Sequence, residues 1–385
     1  MKVLGIVIEA NPFHNGHKYF IDKCIEQLNP DLVIAITSTS FTMRGELSLL
    51  NKFDKAKILL NNGVDIVIEL PFSQAVQSAD FFAKASINNL NQLNITDIAF
   101  GCECTNKQTL EKFVKIIQSD EFKQEFSQNK SFSLSLKDSY SNVLSKYLND
   151  EEIELFNKPN MTLGLQYLKV IKEDNLNINY HIIKRVNNDY NDKTFNTSIA
   201  SATSIRYAIS NNIDYQNTLP SDSLKSLIDI NNAKERLINI IKYKYLVNNN
   251  LDNIFLDSEG INNYIKNNGN FNTLESLQDS LKNKRYSINR INRTLLYSLL
   301  NIKRIPPYSP YVRILGINNK GLEYIKTLPK ETKEIIFSGK KELKKQNNIT
   351  NDTAQLEMLS TKLYSLIVND DKLNKLESQL PIRKE

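Results

Sequence analysis

The stretch Val3-Leu4-Gly5-Ile6-Val7-Ile8-Glu9-Ala10-Asn11-Pro12-Phe13-His14-Asn15-Gly16-His17 decides how this chain folds. Its first half, Val3 to Ile8, is a short apolar run without alternating polar positions. Such a run suits a strand buried on both faces of a parallel sheet. An irregular turn follows, and a helix is expected to begin near Gly16-His17. A helix N-terminus presents free backbone N–H groups and the positive end of its dipole, so anions settle there. Gly16 has no side chain and lets the backbone approach a phosphate closely. His14 and His17, three residues apart, are placed to reach one phosphate. Each can donate a hydrogen bond and, when protonated, stabilise charge on an α-phosphate or a leaving pyrophosphate. Two of the chain's three histidines fall here. A plain turn or capping role is the alternative, and no carboxylate or cysteine stands nearby at zinc-ligand spacing.

Outward from this motif the first third alternates apolar runs with helical spacing. Strands are expected at Val3–Ile8, Leu32–Thr37, Val64–Leu70 and Asp97–Phe100. Phe20, Ile21, Cys24, Ile25 and Leu28 share one helical face, and Phe53, Ala56, Leu59 and Leu60 share another. A helix (Leu163 to Lys172), a strand (Ile178 to Val186) and a short helix from Thr203 follow. This alternation predicts an α/β fold, a Rossmann-like domain whose mostly parallel sheet binds ligands at the carboxyl ends of its strands. Beyond about residue 212 helical spacing dominates, joined by Asn-rich stretches. The expected division is therefore a catalytic domain over 1–212 and a mainly α-helical domain over 213–385.

Composition narrows the function. The 385 residues suffice for two or three domains. No stretch is long and apolar enough to span a bilayer, and the N-terminal apolar run is too short for a signal-peptide core. Three cysteines imply no disulfide framework and fit a reducing cytoplasm. Residues 1–210 carry 22 Lys and Arg against 24 Asp and Glu, whereas residues 211–385 carry 27 against 19. Between Asp279 and Glu323 stand nine basic residues and no acidic one. A phosphate-rich partner would use such a stretch, and a solvated helix face is the plainer alternative. Within it, Lys284, Arg285, Arg290 and Arg293 are the candidate nucleic-acid contacts, with Tyr286 and Tyr297 as surfaces on which unpaired bases could stack. Glu69 and Asp65 are expected to be structural rather than metal-binding, and His181 likewise. Cys102 and Cys104 lack partners for a metal or redox role.

His14-Asn15-Gly16-His17 resembles the His-x-Gly-His signature of the nucleotidyltransferase superfamily. Ser201-Ala202-Thr203-Ser204-Ile205-Arg206 is similar to its second signature, Ser-x-Thr-x-x-Arg. There Ser and Thr can cap a helix and bind phosphate while Arg206 neutralises it. Further stretches resemble the bacterial tRNA(Met) cytidine acetate ligases. These are Arg44-Gly45-Glu46, Gly63 to Phe72, Ala75 to Asp80, Phe100-Gly101-Cys102-Glu103, Pro159-Asn160 with Leu163-Gly164, and Lys284-Arg285-Tyr286 to Pro306-Pro307-Tyr308. Ala10 departs from the pattern, where an aromatic residue usually precedes Asn-Pro, as does Met161-Thr162 in place of Asn-Ile.

The resemblance implies a reaction. Acetate and ATP would form acetyl-adenylate, whose acetyl group passes to the wobble cytidine amine of elongator tRNA(Met), giving N4-acetylcytidine. His14, His17 and Arg206 would carry the catalysis. The ATP site would comprise Val7, Ile8, Glu9, Ala10, Asn11, Pro12, Phe13, His14, Asn15, Gly16, His17, Lys18, Tyr19 and Phe20, with Gly101, Asn160, Arg185, Ser201 and Thr203. ATP would arrive with Mg²⁺. Two other readings remain open from sequence: a small-molecule adenylyltransferase acting on a nucleotide or pantetheine phosphate, and a non-catalytic tRNA-binding protein.

Overall fold

The computed structural model describes residues 1–129, 136–185, 198–247, 254–255, 260–267, 271–282, 286–306, 308–337, 339 and 348–384. Five parallel strands form its centre: β1 (Val3–Val7), β2 (Leu32–Ser38), β3 (Ile66–Leu70), β4 (Asp97–Cys102) and β5 (Asn179–Lys184). Their order in the sheet is β5-β4-β1-β2-β3. The chain moves from β1 to β2 and β3, then crosses back to place β4 on the other side of β1. At such a reversal, beyond the carboxyl end of the strand where the order changes, α/β sheets take their ligands, and here that strand is β1. β1, β2 and β3 are largely apolar because both of their faces are covered, whereas β5, at the edge of the sheet, is mixed in sequence and half-buried or exposed along most of its length. Val3, Ile34, Ile36, Ile66 and Ile68 enter one core, and Leu4, Ile6, Ala35 and Val67 enter the other. Helix α1 (Asn15–Leu28) follows β1, and α2 (Lys52–Asn61) precedes β3.

Three further strands come from the C-terminal half: β6 (Val312–Asn318), β7 (Ile336–Phe337) and β8 (Ile382–Lys384). β6 runs antiparallel to β3, and β7 and β8 pair with β6 in parallel. The sheet thus takes residues from both sides of the division expected at 212/213. Helical spacing dominates the second half as anticipated, and its helices Ile230–Val247, Leu274–Leu281 and Ile288–Leu299 pack around one core. That core includes Phe41, Leu47, Leu49, Phe72 and Val76, which follow the carboxyl ends of β2 and β3. The helical half is therefore seated directly on the ligand-binding edge.

A buried ion cluster fastens the C-terminus to this edge. The Lys52 ammonium, at the start of α2, lies 2.9 Å from Glu69, 2.9 Å from Glu357 and 2.6 Å from Glu377. Arg313 of β6 meets Glu69 at 3.3 Å and Glu377 at 2.5 Å. Burial lifts Glu357 to about 7, and its neighbours Glu69 and Glu377 add to the rise. Burial acts the same way on Glu377, but Lys52 and Arg313 outweigh it and hold that carboxyl at about 2. Asp65 accepts the Val33 N–H at 2.8 Å and the Asn318 amide at 2.8 Å. Glu69 and Asp65 are structural, as the sequence suggests. His181 pairs with Asp97 at 2.7 Å.

Candidate active site

The turn after β1 is held in a single shape. The Ile8 N–H donates to Ile36 at 3.0 Å, and Ala10 takes a φ of 50° in the left-handed region with its side chain buried. The Asn11 side chain bonds Leu47 O at 3.2 Å and accepts the Leu49 N–H at 2.8 Å. The Asn11-Pro12 peptide is cis, and Phe13 is buried with its ring 5.6 Å from that of His17. Val7, Ile8, Ala10 and Phe13 belong to or pack against the cores, and so support the turn from beneath.

His14 caps α1 in extended conformation, with φ −130° and ψ 169°. Its N–H donates to His17 Nδ1 at 3.3 Å, and the two imidazoles stack with centroids 3.8 Å apart. Gly16, expected to make room for a phosphate, makes room first for the His14 ring. A Cβ there would lie 2.8 Å from His14 Cε1 and 2.9 Å from Nδ1. His14 is 5% exposed, and its Nδ1 is buried without a partner among the described residues. Burial first, then His17, Arg185 and Arg206, holds His14 well below an ordinary histidine. Burial, Arg185 and Lys55 bring His17 down to about 3. The protonated form considered from sequence is therefore not the resting one. Both imidazoles are neutral near pH 7 without ligand, and each still has one ring N–H to donate.

The second signature arrives from far along the chain. Ser201 caps the helix Ala202–Ser210 by accepting the Ser204 N–H at 3.0 Å. Arg206 donates to Asn11 O at 2.9 Å and to Thr203 Oγ1 at 3.4 Å, and it lies 3.2 Å from the Glu46 carboxylate. The Asn15 amide ties this region down through Ser198 O at 2.8 Å and Asn217 O at 2.9 Å. Ser201 and Thr203, expected to meet phosphate, are engaged with the helix cap and with Arg206 respectively. The structure brings His14, Asn15, His17 and Arg206 to one corner.

On the other side of β1, Gly101 leaves space that the Arg185 stem fills; a Cβ there would meet Arg185 Cγ at 3.3 Å and Phe20 at 3.9 Å. Glu103, which the sequence reading quotes but does not place in the site, organises this wall. It accepts the Met161 N–H at 2.8 Å and the Asn160 amide at 2.7 Å at the start of the helix Pro159–Glu173. Asn160 Oδ1 in turn accepts from Arg185 at 2.8 Å. Glu9 accepts the Met43 N–H at 2.7 Å, and burial raises its carboxyl despite that bond and the nearby Lys55 and Arg44. Lys55, also unforeseen, is buried with its ammonium 2.9 Å from Ser38 O; burial lowers it to about 7. Lys18 pairs with Asp22 at 2.9 Å, and the Lys23 ammonium lies 6.0 Å from the centre of the Tyr19 ring.

Of the basic residues, Lys284 and Arg285 lie outside the described residues. Arg290 is partly exposed, with its guanidinium 5.8 Å from the Tyr286 ring. Arg293 turns inward and donates to Met43 O at 3.3 Å. Tyr286 is 9% exposed and Tyr297 is fully buried, its hydroxyl donating to Val76 O. The expectation that these two rings stack on bases is corrected: they are core residues of the helical half.

The family model described as HIGH Nucleotidyl Transferase matches residues 1–379. A tRNA(Met) cytidine acetate ligase of Clostridium perfringens is 34% identical over 396 residues, covering 97% of this chain and 97% of the relative. One of Thermosipho melanesiensis is 33% identical over 362 residues, covering 88% and 84%. The chain belongs to the tRNA(Met) cytidine acetate ligase family. Among solved structures, apo Thermotoga maritima TmcAL matches with a TM-score of 0.89 at 29% identity, over 100% of this chain and 99% of that one. The form bound with alpha-thio ATP matches at 0.86 and 27% identity, over 100% of both. As a tRNA(Met) cytidine acetate ligase family member, the chain carries its superfamily signature as His14-Asn15-Gly16-His17, with Arg206 drawn against the same turn.

Proposed function

We propose that this chain uses ATP to activate acetate and acetylates N4 of the wobble cytidine in elongator tRNA(Met). The observation that carries the reading is the convergence of His14, His17, Arg185 and Arg206 beyond the carboxyl end of β1. Neutral, preorganised imidazoles and fixed guanidinium groups suit a triphosphate whose charge shifts during reaction. An oxygen of acetate attacks the α-phosphorus, the bond to the bridging oxygen breaks, and pyrophosphate leaves. N4 then attacks the acyl carbon, AMP departs with the anhydride oxygen, and the amine loses a proton. Acetate alone is a poor acyl donor, and the mixed anhydride supplies the leaving group. Holding amine and anhydride together contributes most of the second step.

Asn160 and Arg185, set by Glu103, would receive the nucleoside or phosphate side of ATP, while Arg206 and the α1 N-terminus face the phosphates. Mg²⁺ accompanying ATP would be held by phosphate oxygens and water. Among the described residues no cluster of three or more His, Cys, Asp or Glu side chains is spaced to hold a metal. Lys284, Arg285 and Arg290 would contact tRNA phosphates, and no helix among the described residues is long and apolar enough to cross a membrane. Mass spectrometry of tRNA(Met) after incubation with the protein, ATP and labelled acetate tests the reading. One labelled acetyl group on the wobble cytidine is expected; unlabelled tRNA with intact ATP would refute it.

A further inference from the structure

A recess of about 190 Å³ lies between the helical half and the turn that follows β1. Its walls come from the helices Ile230–Val247, Leu274–Leu281 and Ile288–Leu299, and Leu47 and Leu49 line its base. Leu237, Ile241, Leu295 and Leu296 make the interior apolar, and all four are buried. At the rim Glu46, Arg206, Lys234 and Gln278 are only half-buried, so the recess is reached from the surface there. One end adjoins the signature corner. The Asn11 side chain bonds Leu47 O at 3.2 Å and accepts the Leu49 N–H at 2.8 Å. Arg206, which donates to Asn11 O at 2.9 Å, lines the recess together with its ion-pair partner Glu46, 3.2 Å away. We propose that this recess receives the cytosine ring of the acceptor nucleotide, turned out of the anticodon loop, an inference that rests on the function proposed above.

The lining fits a single pyrimidine. Its polar groups fall along one edge, from Arg206 and Glu46 past Gly45 to Asn292 and Gln278. Gly45 lies directly on the helix Ile288–Leu299: a Cβ there would stand 2.9 Å from Asn292 Cβ, and its φ of 72° is the left-handed region that favours glycine. Gln278 Nε2 donates to Asn292 Oδ1 at 2.7 Å. That bond fixes the Asn292 amide and leaves its Nδ2 a donor with no acceptor among the described residues. The edge thus offers an acceptor carboxylate at Glu46 and a donor at Asn292. Cytosine carries the complement along its pairing edge, an amine that donates beside a ring nitrogen and a carbonyl oxygen that accept. With N4 toward Glu46 and the carbonyl toward Asn292, the amine lies at the end nearest Arg206 and the phosphate corner. Uracil would instead set a carbonyl oxygen against the Glu46 carboxylate. The ring faces would rest on Leu and Ile side chains, which replace the stacked neighbours lost when a base is turned out. Arg290, proposed above to contact phosphate, stands on the same helix as Asn292 and Leu295. One element would then serve both the RNA backbone and the base.

The test uses the full-length enzyme, a nonhydrolysable ATP analogue and two anticodon stem–loop RNAs, one with cytidine and one with an abasic site at the wobble position. Wild type is expected to bind the cytidine form on the order of tenfold or more tightly. Leu237→Phe fills the recess, and Asn292→Ala removes its donor. In each variant affinity for the cytidine form is expected to fall while the abasic form binds as to wild type. The preference for cytidine therefore shrinks by about fivefold or more, the coupling of a base to the residues that hold it. A preference retained in both variants overturns the proposal. So does an equal loss of affinity for both RNAs, which would assign the recess to the RNA backbone. Acetate-dependent pyrophosphate exchange that falls as far as tRNA acetylation would assign it to ATP or acetate and overturn the proposal as well. Should Leu237→Phe fail to fold, Asn292→Ala, which adds no bulk, carries the same comparison. Wild-type protein that exchanges no pyrophosphate with acetate and leaves tRNA(Met) unlabelled would instead sink the function itself, leaving the paired RNAs to report on the recess separately.

Discussion

At the scale of single residues, His14 and His17 depend on Gly16 as much as on each other. Any side chain at position 16 must displace the His14 ring, whose Cε1 would stand 2.8 Å from the new Cβ. Gly16→Ala is expected to lower kcat/KM for pyrophosphate exchange by about 10²-fold, the usual cost of a small misplacement. The far-ultraviolet circular dichroism should be unchanged; full activity would show that ring placement is unimportant. The imidazoles also leave a mark on stability. His17 folds with a pKa of about 3 against an ordinary 6.5, so below pH 6.5 the unfolded chain binds a proton the folded one refuses. Its contribution is fully present above about 6.5 and is lost as pH falls toward 3. Glu357, raised to about 7, slopes the opposite way over part of that window. The stability difference between wild type and His17→Gln isolates the histidine. It should shift against wild type as pH falls from about 6.5, and a pH-independent difference would contradict the burial argument.

At the scale of elements, a helix N-terminus serves each side of the corner beyond β1. Helix α1 brings the stacked histidines, and the helix Pro159–Glu173 brings Asn160, with Glu103 accepting its first N–H groups. Glu103 acts on the nucleotide only through Asn160 and Arg185, so it is a positioning residue. Glu103→Gln would leave one acceptor oxygen for three donors, the Asn160 N–H, the Asn160 amide and the Met161 N–H, and so loosen the Asn160 amide on which Arg185 rests. KM for ATP is expected to rise on the order of tenfold with a smaller change in kcat; a change confined to melting temperature would make Glu103 purely a helix cap. The motifs on β1 and α1 were legible because an apolar run, a turn and two histidines are local in sequence. Glu103 and Lys55 were not, since a lone carboxylate or lysine gains meaning only from neighbours that the fold supplies. Tyr297 misled for the same reason: helical spacing shows which residues share a face, not which face is covered.

Over the whole molecule, the parallel direction of β1 to β5 follows from alternating strands and helices, whereas their order in the sheet and the strands β6 to β8 do not. β6 lies in the basic run, and its Arg313 reads as a surface charge until Glu69 and Glu377 close around it. The returning strands and the ion cluster join the last residues of the chain to the edge that holds the site. Lys52→Met would leave Glu69, Glu357 and Glu377 buried with Arg313 as the cation. A loss of about 3–5 kcal/mol is expected in denaturant unfolding, and a loss below about 1 kcal/mol would show the cluster to be dispensable. The central claim is that the corner beyond β1 activates acetate on ATP. Exchange of labelled pyrophosphate into ATP by wild type and His17→Ala, with and without acetate, measures it most directly. Label should enter ATP only with acetate present and fall about 10²-fold or more in the variant; exchange that ignores acetate, or that survives the loss of His17, would contradict the account.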